Sequence, residues 1–128
     1  LLKQKNNKMG LDAWVEKVPK KYVVNDFRFR SLYLSEADTE FYYWRKDWEI
    51  QDWFQALYIK KGGRNHYFNG DYIRFTLPDL DKLEYYLVNI SRPSYRDDGL
   101  KKNLEFIKKA RNTLKKEKNV ALYYCSSW

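Results

Sequence analysis

The stretch that most constrains this chain runs from Phe41 to Gly63, FYYWRKDWEIQDWFQALYIKKGG. Two periodicities meet inside it. Phe41-Tyr42-Tyr43-Trp44 is aromatic throughout, a composition that suits a strand. Ile50, Trp53, Phe54, Leu57 and Tyr58 then recur at i, i+3, i+4, i+7 and i+8, which puts them on one face of a helix. Asp47 precedes that pattern as an N-cap and as a favourable charge for the helix dipole. Lys60 and Lys61 close it, and Gly62-Gly63 is the stop. Arg45 and Lys46 therefore fall at a strand-to-helix turn, among Tyr43, Trp44 and Trp48. Guanidinium forks bind phosphate and rings stack on bases, so this cluster is a candidate nucleotide or anion site. The competing reading is cation–π packing that closes the helix onto the sheet.

The remaining chain supplies partners for this unit. Leu11, Ala13 and Val15 alternate along a first strand that ends at Pro19. Tyr22-Val23-Val24 adds a short strand, and Phe27 to Arg30 alternates rings with arginines. Ser31 to Glu40 reads as an acidic loop. After the helix, residues 64–71 carry Asn69-Gly70 as a turn signal. Asp71 to Thr76 alternates, with Ile73 and Phe75 on one side. Thr76, Pro78 and Asp79 have the spacing of a capped helix start, and Leu80, Leu83, Leu87 and Ile90 form its stripe. Leu100, Leu104, Ile107, Ala110 and Leu114 mark a third helix, and Val120 to Cys125 is a β-prone run of the kind found inside a sheet. Early strands followed by helices indicate an α+β fold. We expect a mostly antiparallel sheet of about four or five strands, covered on one side by three helices at about 47–61, 78–90 and 99–118. Residues 9–128 read as one domain. Residues 1–8 read as a disordered basic extension or a translated leader, with Met9 as the natural start.

The net charge is +8, but its placement matters more than its size. Residues 1–8 hold three lysines, and residues 99–118 hold eight basic residues against Glu105 and Glu117. The rest of the chain is nearly balanced. Lys101, Lys102, Lys108, Lys109, Arg111, Lys115 and Lys116 thus form a basic surface on the third helix. Such a surface attracts nucleic acid, nucleotides or acidic proteins, and it also serves simply as a solvated face. With 19% aromatic residues, more rings are present than a core of this size needs, so some are expected at the surface.

Catalytic signals are sparse. His66 is the lone histidine, a poor metal site and a weak general-base candidate that would need a carboxylate such as Asp71. Arg64 and His66 complete the candidate ligand-binding set of Tyr43, Arg45, Lys46 and Trp48. The acidic pairs Asp79/Asp81 and Asp97/Asp98 lie where helix starts are expected, so capping accounts for them. No phosphate-loop pattern surrounds Gly62-Gly63. Cys125 is the single cysteine; it excludes an intramolecular disulfide, fits a reducing compartment and reads as a small buried hydrophobe. We expect no metal, no cofactor and no membrane partner.

Met9-Gly10-Leu11-Asp12, Tyr43-Trp44-Arg45-Lys46, Ile50-x-x-Trp53-Phe54, Asp79-Leu80 opening a helix, and Ser126-Ser127-Trp128 together resemble a family of small uncharacterised bacteriophage proteins. Those proteins typically open Met-Gly-Leu-Asp-Met-Tyr, carry a Tyr-Trp-Arg-Lys segment and close on a Ser- and Trp-containing tail. This chain departs at Ala13-Trp14, where Met-Tyr is usual, and at Gln51, where His is frequent. The resemblance implies a phage origin and no particular activity. It leads us to expect a phage accessory protein for host takeover or counter-defence. It would act in the host cytoplasm by stoichiometric binding of an anionic partner: a nucleotide signal, a nucleic acid or an acidic protein surface. A small enzyme acting on a phosphorylated metabolite through Arg45, Lys46 and His66, and a virion-associated structural protein, are the alternatives. A homo-oligomer is left open.

Residues 1–8 have no apolar period. Deleting them is therefore expected to leave the melting temperature unchanged; a loss of several degrees would mean that the segment docks on the domain.

Overall fold

A strand that is apolar on both sides belongs in the middle of a sheet, and the chain ends in one. The computed structural model describes residues 10–30, 36–93, 95 and 99–128. In it Val120–Ser127 (β6) lies between Asp12–Pro19 (β1) and Tyr72–Phe75 (β5). Asp38–Arg45 (β4) flanks β1, giving the order β4-β1-β6-β5 with every pairing antiparallel. Two short strands, Val23–Asn25 (β2) and Arg28–Phe29 (β3), form a separate hairpin. Among the described residues three long helices lie after the early strands: Trp48–Lys60 (α1), Leu77–Asn89 (α2) and Leu100–Lys116 (α3). This is the expected α+β architecture, with helix limits close to those read from the sequence. β4 starts at Asp38, so the end of the stretch read as an acidic loop is strand; residues 31–35 lie outside the described residues.

The sheet has two differently covered faces. Ala13, Val15, Trp44, Ile73, Phe75, Leu122 and Tyr124 join the buried residues of all three helices in one cluster. The other face carries Val18, Ala121, Tyr123 and the half-buried Tyr72, packed by Val23 and Phe29 of the hairpin. Tyr123 donates its hydroxyl to the Asn25 carbonyl at 2.7 Å, tying the hairpin down. Helices therefore cover one face, and the hairpin covers part of the second.

The main core is aromatic. Phe54 of α1 stacks on Tyr124 of β6 with ring centroids 4.1 Å apart and nearly parallel planes. Phe106 of α3 meets Trp44 edge-on at 4.7 Å. Offset and edge-to-face pairs of this kind add roughly 0.5–1.5 kcal/mol beyond area burial. The α1 stripe is buried as read at Ile50, Phe54, Leu57 and Tyr58. Trp53 is a correction: it is only partly buried and leans edge-on against Phe54 from the rim. Gln51 occupies the buried position instead. Ile90 is a second correction. It is the C-cap of α2 and is 60% exposed, because the helix ends before its stripe can return to the core. On α3 the buried line is Asn103, Phe106, Ile107 and Ala110, while Leu100, Leu104 and Leu114 are partly buried beside it. The helix is rotated from the expected stripe by the pull of Trp44 on Phe106 and Asn103.

Both sheet edges are partly occupied, β4 by side chains and β5 by the backbone of the hairpin turn and a lysine. On β4 the Glu40 N–H donates to Asp38 Oδ1 at 2.9 Å, and Lys109 Nζ donates to the Phe41 carbonyl at 2.6 Å. On β5 the Arg74 N–H donates to the Asp26 carbonyl at 2.7 Å, and Lys61 Nζ donates to the Arg74 carbonyl at 3.0 Å. Lysines and charged neighbours of this sort block edge-to-edge pairing between molecules. Gly62 carries a φ of +109° as α1 ends. At Gly63 a Cβ would collide with the Tyr58 ring. These are the two reasons the glycine pair stands there.

Phe54→Ala is expected to cost about 3–5 kcal/mol, the range for a fully buried aromatic ring. Trp53→Ala should fall clearly below that range and remain folded. Urea unfolding of both variants checks this; equal losses would place Trp53 in the core.

Candidate functional site

The turn between β4 and α1 is held by one carboxylate. Lys46 takes a left-handed φ of 59° to reverse the chain, and its N–H donates to the Leu11 carbonyl at 2.7 Å. Asp47 follows as the N-cap of α1 and accepts the Ile50 N–H at 3.0 Å through Oδ1. Its second oxygen accepts from Asn103 Nδ2 at 3.0 Å and from the Tyr95 hydroxyl at 3.1 Å. Asn103 in turn accepts the Trp44 indole N–H at 2.6 Å. One chain of hydrogen bonds thus joins β4, the start of α1, Tyr95 and α3. Burial raises the Asp47 carboxyl above its ordinary value; the bonds from Ile50, Tyr95 and Asn103 and the Lys102 charge oppose that rise without cancelling it.

Beside this node lies a recess of about 330 Å³ bordered by Arg45, Lys46, Asp47, Trp48, Glu49, Arg92, Tyr95, Gly99 and Lys102. Four cations from three separate segments face two carboxylates that are already engaged. Glu49, buried in the first turn of α1, accepts from Arg92 Nε at 3.0 Å and from the Tyr86 hydroxyl. Arg92 nevertheless keeps most of its side chain in solvent, as does Arg45, whose nearest carboxylate is Asp12 at 3.9 Å. Trp48 meets the C-terminal Trp128 edge-on, with ring centroids 5.7 Å apart. Asp47 occupies the helix end, so side chains rather than free helix N–H groups face the recess.

Of the residues singled out in the sequence, Arg45, Lys46 and Trp48 come together here, and Arg92 and Lys102 join them. Arg92 gave no periodic signal because it lies in a loop; only its charge in SRPSYRDDG was visible. Tyr43 is adjacent in sequence but points its hydroxyl to Asp12, and it does not border the recess. Arg64 and His66 are exposed residues of the connection between α1 and β5 and do not border it either. Asp71, the candidate partner of His66, accepts instead from Asn65 Nδ2 at 2.6 Å and from the Asn69 N–H at 3.2 Å. Among the described residues no three His, Cys, Asp or Glu side chains gather as a metal ion would require. Cys125 is buried, and burial pushes its thiol up to about 12, far from a thiolate nucleophile.

On α3, Lys101, Lys102, Lys108, Lys109, Lys115 and Lys116 are all exposed. Two basic residues are corrections to the expected free surface. Arg111 donates to Asp81 at 2.7 Å and to Glu84 at 2.8 Å, so it latches α3 to α2 and its charge is spent internally. Asp81 is accordingly an ion-pair partner, whereas Asp79 is the third residue of the α2 capping box, accepting the N–H of the N-cap Thr76 at 2.9 Å. Lys109 is held on the Phe41 carbonyl and lies over the Phe41 ring. Asp97 and Asp98 lie outside the described residues.

A second polar network was not visible in the sequence. Phe68, buried and with a φ of 46°, turns its carbonyl toward three donors: Gln51 Nε2 at 3.1 Å, Ser126 Oγ at 3.4 Å and Trp128 Nε1 at 3.0 Å. Gln51 also accepts the Tyr124 hydroxyl at 2.7 Å. Gln51 is thus fully built into the core. No family model, curated protein or solved structure matches this chain. The geometry alone therefore carries the functional reading.

Two carboxylates should give opposite pH responses. The folded chain holds the Asp47 proton more tightly than the unfolded chain, so stability falls as pH rises from the ordinary value of 3.8 through the higher folded one. Burial would raise Asp79 as well, but Lys61 at 2.7 Å and Thr76 outweigh it and hold it below 3.8. Its contribution is full above 3.8 and is lost as pH falls through the lower folded value. Urea unfolding across acidic pH should show Asp47→Asn removing the first slope while keeping a competent cap. Asp79→Asn should remove the second. An Asp47→Asn profile identical to the parent would mean that Asp47 is solvated.

Proposed function

We propose that this protein binds an anionic partner stoichiometrically, without catalysis, through the recess at the β4–α1 turn. The observation that carries the reading is the convergence of Arg45 and Lys46, Arg92, and Lys102 from three separate segments on one concavity. Arg92 is paired with Glu49 and Arg45 only loosely with Asp12; cations gathered with so little pairing repel one another, and an anion reduces that repulsion. The two acids present are already committed, Asp47 to Ile50, Tyr95 and Asn103 and Glu49 to Tyr86 and Arg92. Phosphate suits the site because Arg45 offers a planar fork and the lysines offer point charges. Trp48, in the same lining, suits the base of a nucleotide. The resemblance to small phage proteins sets this activity in an infected host cell, as an accessory function directed at a nucleotide signal or nucleic acid. No helix among the described residues is long and apolar enough to cross a membrane.

Calorimetric titration with ATP at low salt, as a phosphate-bearing probe, tests the site. Arg45→Ala is expected to weaken binding about tenfold or more, about 1.4 kcal/mol, and to leave the melting temperature unchanged, since Arg45 is 63% exposed. Arg45→Lys should recover little of the loss, because a point charge does not replace a fork. The opposite pattern, a lowered melting temperature in Arg45→Ala that Arg45→Lys restores, would make Arg45 a packing residue and end the proposal.

A further inference from the structure

We infer that the partner is a single-stranded nucleic acid that begins in the recess and continues along the outer face of α3; this rests on the anion-binding reading above and narrows it. The lysines of α3 are spaced seven residues apart in two rows, Lys101-Lys108-Lys115 and Lys102-Lys109-Lys116. Seven residues are close to two helical turns, so each row advances about 10.5 Å per lysine on one side of the helix. The two rows lie about 100° apart around the axis and flank Glu105 and Asn112. Lys102 belongs both to the second row and to the lining of the recess. The recess and the lysine rows therefore adjoin at Lys102, with Glu105 as the one acid of α3 between the rows.

A mononucleotide would use only the end of that surface. On α3 beyond the recess the cations that remain available are Lys101, Lys108, Lys115 and Lys116, because Lys109 is held on the Phe41 carbonyl and Arg111 on Asp81 and Glu84. A linear chain of phosphates engages them in succession. The recess of about 330 Å³ is of the order of one nucleotide unit, and Trp48 in its lining provides a stacking surface. The outer face of α3 carries no aromatic residue and one amide, Asn112, between the lysine rows, so binding along it is blind to sequence. From Lys102 to Lys116 the helix rises about 21 Å. At about 3.4 Å per nucleotide in a stacked strand, that path accommodates roughly six nucleotides.

The test uses the full chain and fluorescence anisotropy at two salt concentrations, with ATP, inorganic polyphosphate, oligothymidylates of increasing length and a duplex as probes. Affinity should rise with oligothymidylate length and level off at roughly six or seven nucleotides, the path length along α3 plus the recess. Its salt dependence should have a slope of about −0.7 per phosphate engaged. Replacing Lys108 and Lys115 together by Ala should reduce that slope by about 1.4, weaken the long oligomers to the level of the short ones, and leave ATP binding unchanged. Arg111→Ala should leave the slope unchanged. The inference is overturned if ATP binds as tightly as the longest oligomer, if duplex or polyphosphate binds as well as the single strand, or if Arg111→Ala carries part of the slope. Failure of every probe at low salt, ATP included, would instead remove the recess reading on which the inference rests.

Discussion

The fold depends on where the Asp47 carboxylate sits. β4 ends, α1 begins and α3 crosses within hydrogen-bonding reach of it. Ile50, Asn103 and Tyr95 donate to it, and Asn103 relays the contact to the indole of Trp44. A buried carboxylate is costly unless donors surround it. Here the same donors fix the direction in which α1 leaves the sheet and the rotation of α3 against it. Asn103 and Phe106 turn toward Trp44, and the lysine rows are turned outward as a consequence. The cationic surface is thus set by a polar contact in the core beneath it.

The second buried network does comparable work in the first turn of α1, at Gln51. Phe68 holds a left-handed backbone that a bulky residue adopts only when its surroundings compensate. Its carbonyl takes three donors, and its ring packs against Tyr58 and Tyr124. That contact anchors the connection from α1 to β5 on the chain terminus through Ser126 and Trp128. Trp128 in turn meets Trp48 at the rim of the recess. The site is therefore supported from both sides, by Asp47 beneath it and by the terminal residues beside it.

Charge is divided between structural and free roles in a way that composition conceals. Lys61 and Lys109 bond to the two sheet edges, Arg111 joins α2 to α3, and Lys17 reaches Glu117 at 3.0 Å. Exposed cations gather at the recess and along α3, while Lys20, Arg28, Lys60, Arg64 and Lys82 stand elsewhere on the described surface. The net charge of +8 therefore understates how unevenly positive potential is distributed, and uneven potential is what steers an anionic partner toward one face.

Local order was determined by the sequence itself. The 3.6-residue period of Ile50, Phe54, Leu57 and Tyr58, the cap at Asp47, the capping pair Thr76/Asp79, the glycine stop and the unbroken apolar run of β6 each act within a few residues. Propensity, capping and periodicity are properties of that range. The same physics put Arg45 and Lys46 at a strand-to-helix turn. Tertiary structure decided everything that depends on which elements meet. It brought Arg92 and Lys102 to Arg45 and sent Tyr43 toward Asp12. It placed Trp53 at the rim, bonded Arg111 to α2 and buried Gln51. The spacing of residues along the chain gives no measure of those distances. They follow from the packing of rings across the sheet and from the need to satisfy buried polar groups, and both are settled only when the whole core closes.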